Sequence, residues 1–207
     1  DPANDFIGQV TVTAGATAIS DANDLKISLA TSETKLTTGG ALSVSGVVSG
    51  ALTAWSTGAI TQFGALQVTG ATALTGASVT LADPDNDFIG QATVTAGAAT
   101  ISDANDLKIS LTTGETKLLT GGVLSLSGAV SGALTASSTG AITQFGALQV
   151  TGATTLTGAS VSLADPANDF QDVVTVTAGA TAISDANDLK VSLTTGETKL
   201  TTGGALS

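Results

Sequence analysis

The sequence predicts an all-β chain: a parallel β-helix, or β-solenoid, with about 20 residues per coil and four coils per 82-residue repeat. Three observations carry this. Residues 83–164 copy residues 1–82 with 13 substitutions, and a third copy opens at Asp165 and runs to Ser207. Shorter echoes recur inside each unit at an average of about 20 residues, each opening a run that alternates apolar and polar side chains. Hairpin signals such as Asn-Gly are absent, so the runs are expected to pair with their counterparts one coil away rather than with sequence neighbours.

The echoes start at Ala3-Asn4-Asp5-Phe6, Ala22-Asn23-Asp24-Leu25, Gly39-Gly40-Ala41-Leu42 and Phe63-Gly64-Ala65-Leu66. The last three lead directly into Leu25-Lys26-Ile27-Ser28, Leu42-Ser43-Val44-Ser45 and Leu66-Gln67-Val68-Thr69. In the first echo Gly8 and Gln9 delay the alternation to Val10-Thr11-Val12-Thr13. Period-two alternation gives each strand one buried face, and stacking at about 4.8 Å merges those faces into a continuous column. The expected organisation is one continuous solenoid over residues 1–207, made of repeats 1–82, 83–164 and a partial 165–207. Right-handed coiling follows by extension from parallel crossover connections.

Glycines 58, 64, 70 and 76 fall six apart, which raises a hexapeptide helix as an alternative. Three hexads make one coil of such a helix, and the repeat is not a whole number of these coils. The histidine base of the acyltransferases built on that scaffold is also missing. These glycines are instead read as sharp corners that require positive φ.

Composition narrows the function. The chain has no Cys, His, Arg, Met or Tyr, so thiolate, imidazole and disulfide chemistry are outside its vocabulary. Seventeen acidic residues against six Lys give a net charge of -11, which opposes binding to nucleic acid or anionic lipid. Apolar runs are broken by Gly, Ser and Thr well short of the roughly 20 residues of a membrane helix. Aromatic content of 3% does not supply the girdles of a transmembrane barrel. No catalytic, cofactor-binding or metal-binding residue is assigned, and the chain is not expected to be an enzyme.

Charge is banded: residues 36–82 carry none. That neutral band, with Thr57, Thr61, Gln62, Gln67 and Thr69, is a candidate lateral contact surface for a glycan, a neighbouring rod or a cell surface. Asn-Asp corners recur at 4 and 5, 23 and 24, and at the equivalent positions of the later repeats, with Asp1, Asp21 and their counterparts just upstream. Two readings stay open for them: calcium relieving stacked carboxylates, or Asx bonding to the backbone. Asp21 and Asp24 are also the carboxylate pair that a polysaccharide-acting enzyme on a β-helix would use. Trp55, replaced by Ser137 in the second repeat, is expected at the surface or a loose corner. Glu33 and Lys35 are close enough in sequence to pair across a turn.

An ice-binding solenoid would stack Thr-x-Thr on every coil. Taking Lys26-Ile27-Ser28, Ser43-Val44-Ser45 and Gln67-Val68-Thr69 as the counterparts of Thr11-Val12-Thr13, that row is broken by a lysine and a glutamine.

The strings Gly-Ala-Leu-Gln-Val-Thr-Gly-Ala-Thr, Leu-Thr-Gly-Ala-Ser-Val and Asn-Asp-Phe-Ile-Gly resemble the repeat regions of filamentous-haemagglutinin-type exoproteins, large bacterial adhesins of the two-partner secretion pathway. The resemblance covers the whole chain and implies a right-handed β-helical stalk at the bacterial cell surface, acting in adhesion, aggregation or biofilm matrix. The secretion domain of that family, with its Asn-Pro-Asn motif, is not in this sequence. A filament-forming or surface-layer protein is the alternative. Expected partners are cell-surface glycans and further repeats or other copies stacking onto the open terminal coils.

Overall fold

A computed structural model of the chain describes residues 3–207 and resolves two compact units, Asp1–Ala104 and Asn105–Ser207. Among the described residues every regular element is a strand, and every strand pairing within the units is parallel. The first unit holds β1 (Gln9–Thr13), β2 (Thr17–Asp21), β3 (Leu25–Thr31), β4 (Thr34–Thr38), β5 (Leu42–Val48), β6 (Leu52–Ser56), β7 (Ala59–Val68), β8 (Thr72–Gly76), β9 (Ser78–Leu81), β10 (Asp87–Phe88) and β11 (Ala92–Asp103). The second holds β12 (Leu107–Thr120), β13 (Leu124–Val130), β14 (Leu134–Ser138), β15 (Ala141–Val150), β16 (Thr154–Thr157), β17 (Ser160–Leu163), β18 (Asp169–Phe170), β19 (Val174–Asp185) and β20 (Val191–Thr202).

Each unit is a parallel β-solenoid. In the first, β1, β3, β5 and β7 stack as one column, and β2, β4, β6, β8 and the start of β11 as another. Alternation turns one side of every strand inward, so the side chains form ladders. Leu36, Ala54, Leu74 and Val94 line up coil after coil and are at most 2% exposed. Burying a Leu or Val side chain contributes about 1.5–3 kcal/mol, and such columns supply much of the apolar burial in the fold.

Corners consume polar groups. Between β3 and β4, the buried hydroxyls of Thr31 and Thr34 bond to each other at 2.6 Å, and Thr113 and Thr116 repeat the contact. Thr38 donates to the Asn23 carbonyl of the preceding coil, and Ser56 donates to the Gly40 carbonyl at 2.7 Å.

The glycines act differently from the sequence-based expectation. Among the described residues only Gly46 and Gly128 have positive φ, at 110° and 108°. Glycines 58, 64, 70 and 76 do not; what selects Gly70 is closeness to the neighbouring coil. A Cβ there would lie 2.5 Å from the Gly50 carbonyl carbon, and one on Gly90 would lie 2.3 Å from the Gly70 oxygen.

Coil length is not uniform. Register partners run Thr17, Thr34, Leu52, Thr72 and Ala92, and their separation in sequence widens along the unit. Ala92 completes four coils from Thr17, whereas the sequence repeat is complete only at Ala99, the counterpart of Thr17. Four coils are therefore shorter than one repeat. Ala92, the counterpart of Val10, consequently stacks in the column of Thr17. In the second unit Val174, the next counterpart of Val10, likewise stacks in the column of Thr116, Leu134 and Thr154. Part of the extra length in the longer coils is a bulge in β7: Val44 pairs with Gln62 and Gly46 with Leu66, so Phe63, Gly64 and Ala65 face Ser45 alone.

Candidate interaction surface

The Asn-Asp corners are built into the fold. Asp21, 4% exposed, accepts the Phe6 amide on Oδ2 at 2.9 Å and the Asn23 amide on Oδ1 at 2.8 Å. Asp185 does the same for Phe170 and Asn187, both at 2.7 Å. Asp24 takes the Ala41 amide at 2.7 Å, so this carboxylate sits against a Gly-Ala corner rather than against another acid. Asp1 lies outside the described residues; its counterparts Asp83 and Asp165 accept the Asp85 and Ala167 amides at 3.0 Å and 2.9 Å. These are Asx-type bonds to the backbone, made within a corner and across coils. Asp21 and Asp24 serve backbone amides here. Among the described residues no three His, Cys, Asp or Glu side chains gather as a metal-ligand group.

A buried amide cluster closes the bulge of β7. Asn86, 0% exposed, exchanges two hydrogen bonds with Gln62 at 3.0 Å each. It also accepts the Leu66 amide at 2.8 Å and donates to the Leu81 and Ser102 carbonyls. Asn168 with Gln144 and Leu148 reproduces the set in the second unit. The cluster satisfies backbone groups that the bulge removes from the strand ladder. Asn86 and Gln62 are remote in sequence, and the period-two pattern carries no signal for such a contact.

This reshapes the candidate lateral surface. Gln62 is spent on Asn86, Thr57 donates to the Gly39 carbonyl, and Thr61 donates to the Leu42 carbonyl at 3.3 Å. Of the five residues singled out, Gln67 and Thr69 remain exposed without such bonds. The bulge pushes Phe63 outward to 40% exposure, where the Lys26 ammonium lies 4.5 Å from the ring centroid; Lys108 and Phe145 repeat the pair. At an exposed site such a contact contributes about 0.5–1 kcal/mol. Glu33 and Lys35 are both exposed.

Trp55 is 45% exposed, but in mid-strand rather than at a corner, between Thr37 and Thr75 in register. It belongs to one of two outward rows in the first unit: Ala18, Lys35, Thr53, Ala73 and Thr93, and beside it Ser20, Thr37, Trp55, Thr75 and Thr95. The rows inferred from sequence are corrected by the register. Thr11 pairs with Ser28 and Thr13 with Ala30, not with Lys26 and Ser28, and Gln67 pairs with Val47 rather than Ser43. In the second unit the outward rows run Lys117, Thr135, Thr155, Thr175, Ser192 and Leu119, Ser137, Thr157, Thr177, Thr194.

All-parallel coils, ladders of inward aliphatics and near-identical sequence units define a β-solenoid repeat protein. A family model described as "Repeats of unknown function (DUF5649)" matches residues 31–95 and 113–177, more than half of the chain. The chain belongs to that family. No curated protein and no solved structure matches it.

Proposed function

We propose that this chain is a structural and adhesive segment, a stalk or fibre, of a large secreted protein at the bacterial cell surface. The observation that carries the reading is where the polar side chains go. The conspicuous carboxylates, amides and many of the hydroxyls hold corners and a bulge in place, and they do so again in the next repeat. A reacting centre is one irregular place, whereas a scaffold gains from repeating every solution to its own backbone. The likeness of the repeats to filamentous-haemagglutinin-type adhesins supports the same function. Its partners are then cell-surface glycans and further copies of the repeat.

Display of the chain on a non-adherent bacterium tests this. Cell–cell aggregation or attachment to glycan-coated surfaces is expected, with rods or bundles in electron micrographs of the native assembly. Unchanged attachment, or a two-dimensional lattice covering the cell, would refute the adhesive role, and the lattice would favour a surface layer.

A further inference from the structure

We infer that the outward face of the second unit formed by β14, β16 and the opening halves of β19 and β20 is an ice-binding surface. The register places Thr135, Thr155, Thr175 and Ser192 in one row and Ser137, Thr157, Thr177 and Thr194 in the next. The result is a two-by-four array of hydroxyls with no charged or aromatic member, bounded on one side by Lys117 and Leu119. Strand geometry spaces the array at about 4.8 Å between coils and about 6.7 Å along each strand. Both spacings lie close to oxygen repeats of hexagonal ice.

Two features mark this array, the first of them shared with the outward Thr53, Thr75, Thr93 and Thr95 of the first unit. Among the described residues none of the eight hydroxyls has a hydrogen-bond partner in the protein. At the neighbouring corners, by contrast, Thr120, Ser138 and Thr139 each donate to a backbone carbonyl of the preceding coil. The second feature is the sequence difference between repeats. Trp55 and Ala73 interrupt the corresponding rows of the first unit, and their counterparts Ser137 and Thr155 are two of the 13 substitutions. Both changes extend the array, whereas Leu119 in place of Thr37 ends its second row at Ser137.

The chemistry suits a neutral lattice whose every oxygen donates and accepts. A hydroxyl does both, whereas an ammonium only donates and a carboxylate only accepts. Threonine is stiff at χ1, so ordering the Thr side chains of the array against a lattice costs little entropy. Behind them Ala136, Leu156 and Val176 are at most 1% exposed, which holds the strands in place.

The test uses the 207-residue chain, with ice-crystal shaping and inhibition of recrystallisation as readouts. The unmodified chain is expected to facet growing ice and arrest recrystallisation. Thr157→Lys, between Ser137 and Thr177, and separately Thr155→Lys should each abolish both effects. Thr75→Lys, on the interrupted face of the first unit, should leave them unchanged, with circular dichroism confirming the β-sheet spectrum in every variant. Rounded, freely growing crystals with the unmodified chain would overturn the inference, as would full activity in both second-unit variants. Retention on insoluble cellulose or chitin that Thr157→Lys abolishes, without any effect on ice, would assign the face to a polysaccharide and overturn it too.

Discussion

Asn86 is the polar residue on which the bulge of β7 rests. Its amide closes the bulge by accepting the Leu66 N–H and meeting Gln62 in a two-bond exchange. Truncating it leaves several buried donors and acceptors without partners, each costing about 1–3 kcal/mol. Asn86→Ala and Asn168→Ala are each expected to destabilise by about 3 kcal/mol or more in denaturant titrations. Asn4→Ala is the internal control: Asn4 is only half-buried and donates to the Ser20 carbonyl at 3.2 Å, so a smaller loss is expected. A loss at Asn4 equal to that at Asn86 would contradict the role assigned to the bulge. Thr72 and Thr154 present the opposite case. Each is 1% exposed with a hydroxyl that has no partner, Thr72 between Leu52 and Ala92 in its ladder and Thr154 between Leu134 and Val174. Thr72→Val and Thr154→Val should therefore raise the melting temperature, reflecting about 1 kcal/mol or more of added stability. A lowered melting temperature would show that these hydroxyls are satisfied.

At the scale of strands and corners, the limit on substitution is set by the next coil. The Gly50–Gly70–Gly90 corner is a stack of backbones: the Gly70 amide bonds to the Gly50 carbonyl at 2.9 Å, and no Cβ fits between them. Gly70→Ala is expected to cost about 1–3 kcal/mol through the displacement it forces. Gly64→Ala, whose Cβ would meet only the Ser45 Cβ at 3.6 Å, should cost far less. Equal stability of the two variants would refute the close-approach account. The sequence shows why these elements were only half legible. β1, β3, β5 and the end of β7 follow recognisable echoes and alternate clearly, so they could be read directly. β2, β4, β6 and β8 are short, rich in Thr and Ala, and their inward positions include Thr34, Thr38, Ser56 and Thr72. Buried hydroxyls blur the apolar alternation on which strand recognition depends. The bulge erases it over Phe63-Gly64-Ala65, and with it any warning of the Asn86 cluster.

Over each whole unit, the coil changes length while the sequence repeat does not. Position in the repeat does not specify position on the surface, because four coils end at Ala92 and the repeat ends later. That mismatch is what stacks Thr175-x-Thr177 on Thr155-x-Thr157 and hid the hydroxyl array from a reading based on equivalent echoes. The Cys-free chain permits a clean test by paired cysteines, since neighbours across a parallel ladder fall within the span a disulfide bridges. Thr37→Cys with Trp55→Cys joins register partners. Thr37→Cys with Thr57→Cys joins the positions that a uniform coil of the average length read from the sequence would align. The structure predicts rapid, near-complete oxidation of the first pair and little of the second. Preferential closure of the second pair, or of neither, would contradict the coil register on which the account depends.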